Sequence, residues 1–400
     1  MEKKKWFGLI LFSLVIGAVI GILEVIFGKT LLLVTEWRLT YFSYLIFFLP
    51  FVGLLIEFLY TKFGGKSRQG MGLIFAVGHG EEDDIPLRLI PIVMVSTWLT
   101  HLFGGSAGRE GVAVQIGGTL SHKLGTGKLR KYLPEENLSQ ITLITGMAAG
   151  FAGLFQTPMG AILFALEVLV VGKLQMTALL SATIASFTAS FVSSFLELEK
   201  FSFFVESQLE LTPQLIGKLI VIGITFGLVG RLFSFGLAKS KAWISELIPN
   251  QYTRIFLGGI LVAILIVVFH HGRYAGLGSN LISASFEGGP IYTYDFLLKL
   301  LLTIMTLAIG FQGGEVTPLF AIGASLGVIL APILGLPIEV AAAIGYIAVF
   351  GSATNTFLAP VIIGGEVFGY HLLPVFFIAM SVAYSCNFNQ SIYGKQKILK

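Results

Sequence analysis

Two stretches of this 400-residue chain set a carboxylate among glycines at the start of an apolar run. The first, Gly104 to Gly118, reads GGSAGREGVAVQIGG and places Arg109 beside Glu110. A helix beginning there would offer unpaired N–H groups and the positive end of its dipole, which together make an anion site. A glutamate at that point can occupy the site as a tethered anion and leave it on protonation. The plainer reading is a structural Arg109–Glu110 ion pair in a loop. An ionisable residue inside apolar sequence points to function first. The second stretch, Gly310 to Gly327, reads GFQGGEVTPLFAIGASLG. Its paired glycines permit a sharp turn, and Pro318 suits a first helical turn. The amides of Glu315 and Val316 are expected to point into the same cavity. Glu315 can equally be a helix-start charge facing water.

Other chemistry-bearing residues are weaker candidates. His79 to Asp84, HGEEDD, has the residue types of a divalent-metal site, but no second acidic motif stands elsewhere to face it. A solvated loop is the adopted reading, and no metal or cofactor is expected. His101 is read as a satisfied interfacial residue, and no role is assigned to Glu24 or Glu57. Cys386, the one cysteine, is read as a small packed apolar group.

These residues must be positioned inside a bilayer. Charged residues are 12% of the chain, against about 25% in soluble domains, while hydrophobic residues reach 55%. That excludes a water-soluble fold and a disordered chain alike. The 48 glycines suit membrane helices. With 26 Lys+Arg and 22 Asp+Glu the net charge is only +4, which fits loops facing anionic lipid rather than nucleic acid.

Full-length spans are expected at 7–27, 39–61, 85–103, 138–152, 174–195, 212–238, 251–271, 293–310 and 370–386, at about 20 residues per crossing. Shorter pieces fall at 71–78, 110–120, 158–172, 277–285, 316–332, 337–350 and 358–365. Broken helices are tolerated in a membrane only where protein or a hydrated cavity satisfies the freed backbone, and paired broken segments mark midplane sites in transporters. Lys3, Lys4 and Lys5 at one end and the basic tail Lys395 to Lys400 at the other predict two cytoplasmic termini. Basic loops at Lys62 to Arg68, His122 to Lys131 and Arg231 to Lys241 are expected on the same side. A polar stretch near 197–213 divides the chain into halves of similar motif order. RQGMGLI precedes the first glutamate stretch as RYAGLGSNLI precedes the second, which reads as an inverted repeat. About a dozen residues follow the last span, so no soluble regulatory domain is expected.

The chain resembles the CLC family of anion channels and proton-coupled anion exchangers. GREGVAVQIG at 108–117 is similar to the family's Gly-Arg/Lys-Glu-Gly-Pro element and the helix after it. GGEVTP at 313–318, AAGFAGLFQTPMG at 148–160 and the C-terminal Tyr393 follow in family order. The resemblance covers nearly the whole chain. Its departures are Met71 for the usual serine, Val112 for the usual proline, Glu315 for an apolar residue and Val316 for a phenylalanine. Glu167-Val168 stands for a glutamate pair whose second carboxylate can take protons internally. This combination is similar to the CLC-F branch, which exchanges fluoride for protons.

The resemblance implies an all-α polytopic membrane protein of tilted and broken helices in two inverted-topology repeats, 1–200 and 201–400. It implies transport rather than enzymatic catalysis: export of fluoride against protons, in a homodimer with one pathway per subunit, in a bacterial inner membrane. Glu110 would be the gating and proton-carrying glutamate, Glu315 a second pore carboxylate, and Thr317 a hydrogen-bonding partner. Met71, Gly108, Arg109, Gly111, Val112, Gly314, Val316 and Tyr393 would surround the anion. With Val168 in place of the inner carboxylate, Glu110 would visit both sides of the membrane. Glu366 would be structural. Alternatives are a chloride/proton exchanger or passive anion channel of the same family and, more distantly, a metal-dependent intramembrane enzyme using residues 79–84.

Overall fold

A computed structural model describes residues 2–399 of the chain. The side chains of Lys3 and Lys400, placed in the cytoplasm by sequence, lie outside the described residues. Helix makes up 74% of the structure: α1 (Glu2–Leu45), α2 (Leu49–Leu59), α3 (Met71–Gly78), α4 (Leu89–Leu102), α5 (Glu110–Thr126), α6 (Leu138–Phe155), α7 (Pro158–Glu167) and α8 (Leu179–Phe195). After the polar stretch come α9 (Pro213–Leu247), α10 (Gln251–Val268), α11 (Ser279–Phe286), α12 (Asp295–Ala308), α13 (Val316–Leu334), α14 (Ile338–Thr354), α15 (Leu358–Phe368) and α16 (Leu373–Ser385). Local chemistry sets many of these ends. Thr212 caps α9 by accepting from Leu215 N at 3.2 Å, and Asn250 caps α10 by accepting from Thr253 N at 3.0 Å. Gly335, left-handed at φ 59°, closes α13.

Among the described residues, six helical stretches are long and apolar enough to cross a membrane. The span expected at 7–27 and the first residues of that expected at 39–61 are joined in one helix, since α1 runs through Lys29, Glu36 and Arg38 to Leu45 with a kink at Tyr41, and the rest of 39–61 falls mainly in α2. Hydropathy reads those charges as a loop. In the fold Lys29 and Glu36 sit on the exposed face while Leu31 and Val34 pack inward one turn apart. Three expected full spans are short helices of 14, 14 and 13 residues (α4, α12 and α16). Conversely, the pieces expected at 110–120 and 337–350 extend to 17 residues each.

The surface is inverted relative to a water-soluble protein. Phe47, Phe191, Phe195 and Ile333 are about 70% exposed or more (69%, 71%, 75% and 72%), whereas Ser13, Thr145 and Lys299 are fully buried. Lipid as solvent accounts for both. Helices then associate through small residues, because lipid gives apolar side chains no reason to hide. A Cβ on Gly17 of α1 would lie 2.6 Å from the Ala185 carbonyl of α8, and one on Gly223 of α9 would lie 2.7 Å from the Ala379 carbonyl of α16. A Cβ on Gly117 would lie 2.1 Å from the Gly146 carbonyl across α5 and α6, and one on Gly323 would lie 1.9 Å from that of Gly345 across α13 and α14.

Helices α7 and α15 cap one another. Glu366 in the last turn of α15 accepts from Met159 N and Gly160 N at the start of α7, at 3.0 and 2.8 Å. Glu167, the last residue of α7, accepts from Phe357, Leu358 and Ala359 N at the start of α15, at 3.3, 3.0 and 2.8 Å. Each carboxylate satisfies orphan N–H groups at the positive end of its partner. The C-terminal segment returns to the body of the protein: Lys397–Ile398 pair in parallel with Val170–Val171 and so anchor the stretch that carries Tyr393.

Candidate functional site

The starts of α5 and α13 face each other at the centre of the protein. Their approach is tied by an antiparallel backbone bridge in which Gly108 N donates to Gly314 O at 2.5 Å and Gly314 N to Gly108 O at 2.8 Å. Only glycine fits there. A Cβ on Gly314 would sit 2.9 Å from the amide nitrogens of Glu110 and Gly111, and one on Gly108 would sit 2.8 Å from Glu110 Oε2.

Glu110, 1% exposed, bends its carboxylate into this junction. Oε2 accepts from Arg109 N at 3.0 Å and from Thr317 N at 2.9 Å, and Oε1 accepts from the Thr317 hydroxyl. The carboxylate thus takes donors from the first turns of two helices whose dipoles both point at it. This is the arrangement of a bound anion, with the anion supplied by the protein's own side chain. The α13 amide in contact is that of Thr317, one residue beyond the expected Val316.

To one side lies a vestibule of about 420 Å³ whose wall includes Met71, Gly111, Gln115, Glu315 and Tyr393. Gly70, at φ 51°, makes the turn that starts α3 with Met71 at its head. The missing side chain of Gly111 leaves open the gap between Glu315 and Met71, since a Cβ there would lie 3.6 Å from Glu315 Oε2 and 3.8 Å from Met71 Cγ. Tyr393 is 6% exposed, its ring stacked on Phe75 at 5.1 Å and set edge-on to Phe164 at 6.5 Å. To the other side, a small cavity of about 20 Å³ is walled by Arg109, Thr157, Glu199 and Tyr346.

A sequence profile described as voltage gated chloride channel matches residues 52–387. The chain belongs to this family, the CLC family. It is 36% identical over 370 residues to a chloride/fluoride channel protein of Pseudomonas syringae pv. tomato, covering 91% of this chain and 80% of that one. Its fold matches the crystal structure of a CLC-type fluoride/proton antiporter with a TM-score of 0.96 and 54% identity, covering 98% of each chain. It also matches a slow cyanobacterial Cl−/H+ antiporter, with a TM-score of 0.82 and 21% identity over 95% of this chain and 94% of that one, a likeness in fold. CLC proteins are transporters and channels, not enzymes, and this one is a multi-pass membrane protein.

Within this CLC fold the residues singled out by sequence separate into three groups. Glu110, Thr317, Gly108, Gly314 and the Arg109 amide meet at the junction, while Met71, Gly111, Glu315 and Tyr393 line the vestibule. Val112 and Val316 are buried at 0% and 1% and stand outside the vestibule's lining. The Arg109 side chain forms no ion pair with Glu110. Its guanidinium lies over the Phe155 ring at 5.3 Å and faces the small cavity, because its backbone (φ −132°, ψ −16°) turns just ahead of the helix. Glu315 is half-buried and does not reach the Glu110 carboxylate.

The acidic run disperses. Glu81 pairs with Lys397 at 2.6 Å, Glu82 with Lys66 at 2.6 Å and Asp84 with Lys123 at 2.7 Å, and no group of three metal-ligating side chains exists among the described residues. His101 is fully buried rather than interfacial. It bridges Thr97 O at 2.8 Å and Ala107 O at 2.9 Å, which holds the loop leading to Glu110 against α4. Sequence reasoning passed over Lys299. Fully buried on α12, its ammonium donates to Ser106 Oγ at 2.9 Å, Tyr274 O at 3.1 Å and Gly276 O at 2.6 Å, bracing the same loop. A lone lysine inside an apolar span was the available signal. Glu24 is the other such case: both carboxylate oxygens are buried without a partner beside α6.

Proposed function

We propose that this CLC protein is a proton-coupled antiporter that exports fluoride from the cytoplasm in exchange for protons, with Glu110 as gate and proton carrier. The observation that carries this reading is the seat of the Glu110 carboxylate on Arg109 N, Thr317 N and the Thr317 hydroxyl. Fluoride is small and strongly hydrated and needs close N–H and O–H donors. These three are such donors, and the carboxylate holds them most strongly while charged. A proton on Glu110 weakens its hold, since hydrogen bonds to charged groups are about twice as strong as neutral ones. Fluoride then takes the donors, and one group answers to both ions. The 54% identity to a fluoride/proton antiporter supports fluoride as the cargo.

Met71, Gly111, Glu315 and Tyr393 form the inner side of the pathway in this reading, and Gly108 and Gly314 its backbone frame. Arg109 contributes its amide rather than its side chain. In this reading the vestibule and both termini face the cytoplasm of an inner-membrane protein, which the basic loops support. The chain is read as two inverted repeats, 1–200 and 201–400, working in a homodimer. Matching Gly contacts of α1 with α8 and of α9 with α16, together with the mutual capping of α7 and α15, support the repeat. The test is efflux from proteoliposomes loaded with fluoride or chloride, with external pH recorded alongside an ion electrode. Fluoride efflux with proton uptake, abolished in Glu110→Gln, is expected, and proton-coupled efflux persisting in that variant would refute the scheme. The chloride/fluoride channel relative favours a second reading, a passive anion pathway. Fast chloride efflux without proton movement would establish it.

A further inference from the structure

The vestibule carries charge that the exchange scheme does not use. Arg68, Lys241, Arg254 and Lys395 all stand in its wall. Arg68 is committed, because its guanidinium binds Glu57 and Gln251. Among the described residues the other three have no carboxylate partner. Lys395 reaches only Gln69 Oε1, at 3.4 Å. Arg254 donates to Ser245 Oγ at 3.1 Å, and its Nε is buried with no partner at all. Against these three cations the vestibule sets one carboxylate, Glu315.

Two features decide what such a chamber takes. A recess lined by one sign of charge within low-dielectric walls concentrates counter-ions. At about 30 Å³ per water, its 420 Å³ has room for roughly a dozen waters, far more than fluoride requires. Beyond it the Gly108–Gly314 bridge and the Glu110 carboxylate close the way. The Arg254 guanidinium in this wall carries a planar fork of N–H donors that matches the paired oxygens of an oxyanion. We propose that the vestibule binds a free tetrahedral oxyanion of the inorganic-phosphate type between Arg254 and Lys241, with Lys395 across the mouth. This anion competes with entering fluoride and does not cross.

Only the transport readout rests on the antiporter reading. Inorganic phosphate is titrated calorimetrically into the full-length protein in detergent at low ionic strength, for wild type and for the Lys241→Gln/Arg254→Gln double variant. In parallel, fluoride efflux is measured from proteoliposomes loaded with and without phosphate. Saturable binding to wild type that is lost in the variant is expected. At a phosphate concentration equal to its dissociation constant, the fluoride concentration for half-maximal efflux should double at unchanged maximal rate, and added KCl should reverse this. An Arg254→Lys variant, which keeps the charge but not the fork, should retain partial binding and guards against misfolding of the double variant. Normal efflux with no phosphate binding, or equal binding by the double variant, would overturn the site and leave the antiporter reading standing. Phosphate binding in a protein that moves no fluoride would do the reverse. Inhibition that rose with phosphatidylglycerol content and ignored added phosphate would place a lipid headgroup there and overturn the free-anion assignment.

Discussion

Thr317→Val isolates one donor of the proposed gate. Valine keeps the shape of threonine and leaves the Thr317 and Arg109 amides in place, while removing the hydroxyl that donates to Glu110 Oε1. A hydrogen bond to a charged group contributes about 1.5–3 kcal/mol. At about 1.4 kcal/mol per tenfold, removing it moves the balance between the seated and the released side chain by about ten- to a hundredfold. The sign follows from which state the hydroxyl favours. It stabilises the charged form, so its loss lets the proton compete at higher pH, and the pH of half-maximal fluoride efflux should rise. The assay is initial efflux from proteoliposomes across a symmetric pH series, with proton uptake recorded in parallel. Thr317→Ser should retain the wild-type profile. A Thr317→Val profile that stays in place, or moves toward acid, in a protein with unchanged melting temperature would refute the role given to this hydroxyl.

Removing the Glu366 carboxylate in Glu366→Ala frees two amides at the start of α7, and the loss of such a cap costs about 0.5–2 kcal/mol. A lowered melting temperature in detergent, with Glu366→Gln intermediate, is expected. Gly117→Ala would drive a Cβ to 2.1 Å from the Gly146 carbonyl and should destabilise by about 1–3 kcal/mol. Gly217→Ala, with open space around it, should melt as wild type. Lys397 beside Glu81 holds that surface carboxyl below its ordinary value. A depressed carboxyl stabilises the fold above its ordinary titration range and stops doing so as pH falls through the depressed value. Hydrogen exchange in residues 391–398 should therefore accelerate, after correction for intrinsic rates, as pH drops below about 4.3, and Glu81→Gln should remove that step.

Much of the molecule was legible because its signals are local. Glycine and proline interrupt the apolar runs where α5, α7, α13 and α15 begin, and a helix start is decided by a handful of adjacent residues. Composition alone placed the chain in lipid, and Glu110 declared itself as a carboxylate at a helix start inside an apolar run. The same local rules misled in α1, where the exposed Lys29 and Glu36 and the buried Arg38 are all carried by one helix.

Only the tertiary structure decided what each group meets. Adjacency in sequence suggested an Arg109–Glu110 ion pair. The backbone turn ahead of α5 sends the two side chains to opposite sides, and Glu110 finds Thr317 more than two hundred residues away. The mutual caps of Glu167 and Glu366, the fully buried Lys299 under the 104–108 loop, and Arg254 in the wall with Glu315 are long-range meetings of the same kind. Hydrogen-bond partners across a packed helix bundle follow from how helices cross. Those crossings depend on close backbone contacts such as Gly117 with Gly146, which no short window of sequence contains.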